Sequence, residues 1–555
     1  MMNLDPAARR RLMAGAALVF LAATLVYWPK LPNGFHFDDR IFINTDLSLR
    51  SWSAAPGHFV TDQARLYRPL RSVIYTAFIA LFGQSSPVPF HLGGIFFHAV
   101  LSVLVVLIIG LMLADPGVAI LSGLVFALHP VHADRVANIT GSFDLFGLML
   151  AYGAWFVALV YDRQGRTWQL WLAALLLLCG CLGSEEAVTA WLLTAGSFLL
   201  IPGQRKRRLQ CLGLMGLMVL FYLAARTAVL SGIGRTETYA AGGLGASILT
   251  MSVIFWRYIG LLLFPVGLSP AYGPEIYPHL ALTPILGLLG ILVLIGMMFY
   301  LRKKSVGTTL ALGWFLIGLS PFSNLLPSDT LMAERYIYGA LGGFALGFGL
   351  LMTAGLRRRF HLTAAAILVL ILISYSALTV GRCLAWNKPL LLWSQAAARE
   401  PNSFLANLNA GYHGLVAGRL ADAERWSRRA AELEPKRAEP WLTLGEIKIR
   451  RGLPEEGVKF FQQAAAIDPG FCPAHSALAQ GLVLVHDPAQ AALAASRALS
   501  CDPNDPQANY VAGYLLFLAK RCESAGRHLQ IVVQTEPQPE QYDAAIQIIN
   551  KCKEQ

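Results

Sequence analysis

Long apolar runs separated by short polar turns fill the first 383 residues. They lie at 12–28, 92–113, 117–133, 144–161, 168–183, 187–202, 209–230, 281–301, 308–326, 334–354 and 361–382. Each is near the ~20 residues a helix needs to cross a bilayer. The stretch 168–202 is split in two by Ser184-Glu185-Glu186, because two acids sit poorly at mid-bilayer. Residues 248–267 carry Arg257 and reach Pro265, a pattern that fits a re-entrant or interface-lying helix; a crossing there would make twelve spans and put one basic cluster on the other side. Eleven spans result. The first reads as a retained span: no small-residue cleavage site follows it, and Tyr27 and Trp28 suit an interface.

Basic clusters orient these spans. Arg9–Arg11, Asp162–Arg166, Arg205–Arg208, Arg302–Lys304 and Arg357–Arg359 all fall on one side, which the positive-inside rule makes cytoplasmic. The loops 29–91, 129–142, 184–186, 231–247 and 327–333 then lie outside, together with the C-terminal region.

After Trp386 the pattern changes to a repeat. Acid–proline pairs stand at Glu400-Pro401, Glu434-Pro435, Asp468-Pro469, Asp502-Pro503 and Glu536-Pro537, each 34 residues from the last. Small residues recur in step: Gly411, Gly445, Ala479 and Gly513; Ala423, Gly457, Ala491 and Ala525; Ala430, Ala464 and Ala498. A 34-residue period with small residues where paired helices meet is the tetratricopeptide signature. Four repeats are expected over about 401–536, with a capping helix at 539–552. The chain therefore divides into a membrane domain at 1–383, a linker at 384–400 and repeats at 401–555. The fold class is all-α: a polytopic helical bundle followed by an α-solenoid.

Composition narrows the class. Of 555 residues, 55% are hydrophobic and only 14% charged, which excludes an ordinary soluble protein. The net charge of +12 fits cytoplasmic loops and lipid headgroups. No basic run interleaved with aromatics suggests a nucleic-acid surface.

Of eight cysteines, Cys179, Cys181, Cys211 and Cys383 lie in or beside spans and read as small apolar residues. Cys472, Cys501, Cys522 and Cys552 lie in the repeats. Cys472 is expected to begin helix A of the third repeat and Cys501 to end its helix B, so the two meet. Cys522 is expected to end helix A of the fourth repeat, beside Cys552 at the end of the cap. Two disulfides in an oxidising compartment, or four unrelated thiols, both fit.

Reactive side chains gather on the outer side. The first loop carries Asp38-Asp39 and Tyr67-Arg68-Pro69-Leu70 before Arg71. Then come His129-Pro130-Val131-His132, Arg135, Asn138 and Asp144, followed by Glu185-Glu186, Asn324 and Glu334-Arg335-Tyr336. Singly, each has a plain reading: a capping acid, a headgroup contact, an ion pair. His129 and His132 are too few to make a zinc site. Jointly, arginines at a bilayer surface suit a phosphate, and a nearby carboxylate suits a base for an incoming hydroxyl. A transporter would instead need ionisable groups along a mid-bilayer path, and a plain scaffold would not need the acids.

In this order, Phe37-Asp38-Asp39, Tyr67-Arg68-Pro69-Leu70, Phe90-His91-Leu92 with His98, Phe126 to His132, Gly183 to Glu186 and Ala333 to Tyr336 resemble the transmembrane-and-tetratricopeptide O-mannosyltransferases and their bacterial relatives. These are glycosyltransferases of the GT-C class. The resemblance covers nearly the whole chain. It implies an inverting transfer of a sugar from a polyprenyl-phosphate donor to Ser or Thr hydroxyls of exported protein, in a membrane such as the bacterial inner membrane. The repeats would hold the acceptor protein or a partner on the extracytoplasmic side. A glycolipid or envelope glycan is the other acceptor. Asp38 or Asp39 would be the base, with Asp39 also able to position the acceptor or a divalent metal such as Mg or Mn. Arg68, Arg335 and Arg135 would face the donor phosphate. His129, His132, Glu334, Tyr67 and Glu185 would shape the pocket. Ser184-Glu185-Glu186 stands where relatives commonly have Ser-Lys-Glu.

Overall fold

A computed structural model describes the chain apart from residues 1–4, 37, 38, 40, 41, 44, 45, 62–65, 231–235, 237, 329, 359, 360, 536–538, 554 and 555. Two compact units emerge, 1–270 with 274–388, and 389–555 with 271–273. Among the described residues both are built from helices alone.

The first unit holds α1 (Pro6–Tyr27), α2 (Pro69–Phe82), α3 (Val88–Leu113), α4 (Pro116–Leu128), α5 (Ala133–Ala137), α6 (Ile139–Gln164) and α7 (Thr167–Gly183). It continues with α8 (Thr189–Leu200), α9 (Arg205–Leu230), α10 (Leu244–Leu263), α11 (Leu282–Leu301), α12 (Val306–Leu319), α13 (Leu341–Leu356) and α14 (His361–Trp386). Among the described residues, seven helices are long and apolar enough to cross a membrane: α1, α3, α6, α9, α10, α11 and α14. The run expected at 117–133 is a broken one. It bends by 44° where α4 stops at Leu128, because Pro130 has no N–H to continue the ladder.

Two expectations change here. The stretch 248–267, expected to be re-entrant or interface-lying unless it crossed as a twelfth span, is not interrupted at Arg257. It forms most of α10, an unbroken twenty-residue helix that stands among the candidate spans, since a single arginine leaves the rest of the window apolar. The runs at 308–326 and 334–354 give only the shorter helices Val306–Leu319 and Leu341–Leu356, whereas the two short runs at 168–183 and 187–202 form α7 and α8, divided at Ser184–Glu186 as expected. The ends of α12 and α13 are trimmed by the tight turns Ser320–Phe322 and Glu334–Ile337.

Glycine sets the closest approaches. A Cβ on Gly343 in α13 would lie 2.4 Å from the backbone of α12, and one on Gly318 would lie 2.6 Å from that of Ala340. These two helices therefore pack backbone to backbone, as small residues permit between membrane helices.

The second unit is a succession of helices paired as its repeats dictate: α15 (Pro389–Arg399), α16 (Phe404–Val416), α17 (Leu420–Leu433), α18 (Glu439–Arg450), α19 (Pro454–Ile467), α20 (Cys472–Leu484), α21 (Pro488–Cys501), α22 (Pro506–Leu518), α23 (Cys522–Gln534) and α24 (Pro539–Lys553). The stretch 384–400, expected as a linker, is largely helical: it contains the end of α14 and all of α15, which packs on α16. The small positions do what their period predicts. A Cβ on Gly411 would meet Ser427 at 2.3 Å, one on Gly445 would meet Phe461 at 2.4 Å, and one on Gly513 would meet Leu529 at 2.6 Å.

A second 34-residue rhythm ties the repeats to their prolines. Asn407, His475 and Asn509 occupy equivalent places, and each donates a side-chain N–H to the carbonyl of its own acid–proline step, at Pro401, Pro469 and Pro503. Ser403 and Asp505 cap α16 and α22 by accepting from backbone N–H groups of the first turn.

Candidate active site

The N-terminal end of α6 organises the charged residues of the first unit. Asn138 caps the helix through Gly141 N. Thr140, in the first turn, grips Asp39: its backbone N–H and its hydroxyl both donate to Oδ1, at 2.8 and 2.6 Å. The other oxygen of Asp39 accepts from His36 N at 3.1 Å. Asp39 is buried, and a carboxylate at a helix N-terminus is stabilised by the free N–H groups and the helix dipole.

One turn further along α6 comes Asp144. Residues four apart on a helix are neighbours on one face, with Cβ atoms ~6 Å apart. Asp144 therefore stands beside the Asp39 anchor and collects three guanidinium groups: Arg68 at 2.8 Å, Arg71 at 3.1 Å and Arg135 at 4.0 Å. Arg135 in turn binds Glu186 at 2.6 Å and donates to Arg335 O. Glu185 lies 4.0 Å from Arg68 and 3.8 Å from Arg226. Burial pushes the Glu186 carboxyl upward even with Arg135 against it. Burial also opposes the charge on Arg68, yet Asp144, Glu185 and Glu186 outweigh it and hold the guanidinium firmly protonated. A pocket opens beside this network, lined by Glu185, Glu186, Arg226, Phe322, Asn324 and Tyr336.

The entry to the first loop is tied down around the same place. Lys30, buried at the end of the first helix, donates to Val136 O. Asn33 Nδ2 donates to Cys383 O, and Asn33 O is bonded to His91 Nε2. These bonds hold Lys30 and Asn33, as the Thr140 and His36 bonds hold Asp39. Asp38 itself lies outside the described residues.

The remaining expected site residues divide. Arg335 has a side chain 41% exposed, and its guanidinium stands 3.8 Å from Asp134, so it can reach a ligand. Arg68 and Arg135 lie in the buried network. Tyr67 donates its hydroxyl to Phe59 O and stacks on Tyr222. His129 departs from the pocket role expected for it: its Nε2 is bonded to Leu262 O, its Nδ1 accepts from Val131 N, and Tyr375 covers its ring. It closes the α4 break inside the core. His132 is also buried and stacks on Tyr338 at 4.0 Å. Glu334 faces inward too, holding Arg382 at 2.8 Å and accepting from Ser269 N; it ties chain segments together. Among the described residues, no three His, Cys, Asp or Glu side chains gather where they could share an ion. The partners of Asp39 named above are N–H and O–H donors, which suit a carboxylate anchor better than a metal ligand.

Sequence reading overlooked Lys30, Asp134, Thr140, Arg226 and Arg382. A threonine two residues after an asparagine cap carries no chemical flag. Lys30, Arg226 and Arg382 adjoin or lie inside apolar runs and fall outside the basic clusters that orient the spans.

Gly147 on α6 supplies a test of this geometry. A Cβ there would lie 2.5 Å from Ser184 N and 2.7 Å from Gly183 C, both backbone atoms that no rotamer change can move. Gly147→Ala should push the Glu185–Glu186 turn off α6 at a cost of about 1–3 kcal/mol. Thermal unfolding in detergent would show a lowered midpoint; an unchanged midpoint would mean the turn is not packed on Gly147.

No protein-family model matches the chain. Curated proteins do. Protein O-mannosyl-transferase Tmtc2 of Drosophila melanogaster is 33% identical over 31% of this chain and 20% of its own length. Tmtc1 of the same organism is 30% identical over 40% of this chain and 27% of its own. Human protein O-mannosyl-transferase TMTC3 is 22% identical over 88% of this chain and 64% of its own. The chain resembles the TMTC protein O-mannosyltransferases. It spans between a fifth and just under two thirds of the length of these relatives. Solved structures align with smaller parts of it. A thermophilic TPR protein of Thermus thermophilus covers 31% of the chain at 15% identity and a TM-score of 0.27. YrrB, a TPR protein with an unusual peptide-binding site, covers 35% at 16% identity and a TM-score of 0.24.

Proposed function

We propose that the protein is a membrane glycosyltransferase that moves a sugar from a polyprenyl-phosphate donor to Ser or Thr hydroxyls of exported protein. One observation carries the reading: a single turn of α6 sets the anchored Asp39 loop beside the Asp144 carboxylate and its three guanidinium groups. Asp39 is the anchor and Asp38, its neighbour, is the base that takes the proton of the acceptor hydroxyl. The hydroxyl oxygen attacks the anomeric carbon from the face opposite the phosphate. The carbon–oxygen bond to the phosphate breaks, and polyprenyl phosphate leaves with inverted stereochemistry at the sugar. Arg335, partly exposed, stabilises the negative charge that builds on the leaving phosphate. Arg68, Arg71, Arg135 and Glu186 keep this end of the bundle in register.

The basic clusters on the opposite side support an extracytoplasmic site in a membrane such as the bacterial inner membrane. The repeats, a class of fold that offers helical grooves to peptides, would recruit acceptor or partner. Intact-mass measurement of exported proteins from cells with and without the gene tests the reading. A uniform loss of one sugar mass from at least one protein is expected on deletion. Identical masses in both would contradict it.

A further inference from the structure

The repeat unit carries four cysteines that the transfer reaction does not use, and they stand as two facing pairs. Cys472 opens α20 and Cys501 is the last residue of α21. Because the two helices of a repeat are antiparallel, those ends meet. Both sulfurs converge on one carbonyl, Gly470 O, at 3.4 Å from Cys472 Sγ and 4.0 Å from Cys501 Sγ. Cys522 opens α23, rather than ending the preceding helix as its sequence position suggested, and Cys552 lies in the last turn of α24. These consecutive helices pack antiparallel as well, which brings the start of one to the end of the other and sets Cys552 against the core of Leu529, Val532, Ala545 and Ile548. All four are thiols in this structure.

We propose that Cys472–Cys501 and Cys522–Cys552 close as two disulfides that staple the third repeat and the capping hairpin. Each pair stands at the open end of one helical hairpin, where the first residue of one helix faces the last turn of the other. Cys501 is exposed and the other three are half-buried, which leaves the pairs open to an exchange partner. The place is one where packing is thin. The buried face of α21 is Ala491, Ala494, Ala495 and Ala498, and alanine buries little apolar area. A cross-link over a loop of about 30 residues removes freedom from the unfolded chain that such packing does not offset.

The chemistry balances with a disulfide-bearing oxidoreductase as co-reactant. A thiolate of the pair attacks one sulfur of that disulfide and forms a mixed disulfide. The second cysteine then attacks the mixed disulfide and displaces the oxidoreductase as a dithiol. For each bond, two electrons and two protons pass to the oxidoreductase. Burial and the neighbouring thiol lift Cys472 and Cys552 to about 11, which lowers the thiolate fraction and slows uncatalysed exchange.

The inference stands apart from the identity of donor and acceptor. It is tested on the full chain extracted from native membranes, with N-ethylmaleimide added at lysis to trap free thiols. Peptide mapping without reduction should recover the 472–501 and 522–552 links, and no maleimide on those four sulfurs. Cys472→Ser should make Cys501 newly alkylated and leave the 522–552 link in place. Maleimide on all four cysteines of the wild-type chain, or links that cross between the pairs, would overturn the proposal.

Discussion

Asp38→Asn is expected to lower sugar transfer by about 10²–10⁴-fold, the usual contribution of a general base, while the chain still inserts and folds. Asp39→Asn is expected to act differently. Its Oδ1 takes two donors from Thr140 and its other oxygen takes His36 N. An amide keeps one acceptor oxygen and presents an N–H₂ where an oxygen was needed, so the loop loosens. Transfer then falls because the base is no longer held in place. Thr140→Val separates the two roles: it removes a hydroxyl donor to Asp39 and leaves Asp38 untouched. It should lower kcat, and Thr140→Ser, which restores the hydroxyl, should recover most of it. Full activity in Asp38→Asn would contradict the assignment of the base.

Arg135→Met should be among the most damaging single changes in the membrane unit. The side chain is 3% exposed and its partner Glu186 is 12% exposed. Removing one member of a buried pair strands the other charge and costs about 3–5 kcal/mol. The burial that already pushes Glu186 upward shows how little solvent there is to compensate. Replacing both partners removes the stranded charge, and such double replacements are often neutral. The expected result in detergent is a sharp fall of the unfolding midpoint for Arg135→Met and substantial recovery in the double variant with Glu186→Met. Additive losses in the double variant would mean that Arg135 and Glu186 stabilise the bundle through separate contacts.

The repeats were legible because a 34-residue period repeats one physical constraint, a small side chain wherever two helices touch; Gly411, Gly445 and Gly513 meet their neighbours as that period requires. The membrane unit was less so. An apolar run reports burial in lipid or in protein equally well. It therefore did not reveal that 308–326 and 334–354 yield short helices, nor decide between a crossing and an interface-lying helix at 248–267, which α10 makes a candidate span. The charged residues were visible, but their division of labour was not. Asp38 and Asp39 are identical in chemistry, and only the partner across the bundle, Thr140, 101 positions away, distinguishes the anchor. His129 looked reactive because sequence does not show that both ring nitrogens are engaged.

The most direct test of the account is transfer by the purified full-length chain, reconstituted in lipid and given a polyprenyl-phosphate radiolabelled sugar with a fraction of exported protein. The account predicts label on protein, removed by base-catalysed elimination at Ser or Thr, and label reduced at least about 100-fold in the Asp38→Asn chain. Equal labelling by both chains would contradict it.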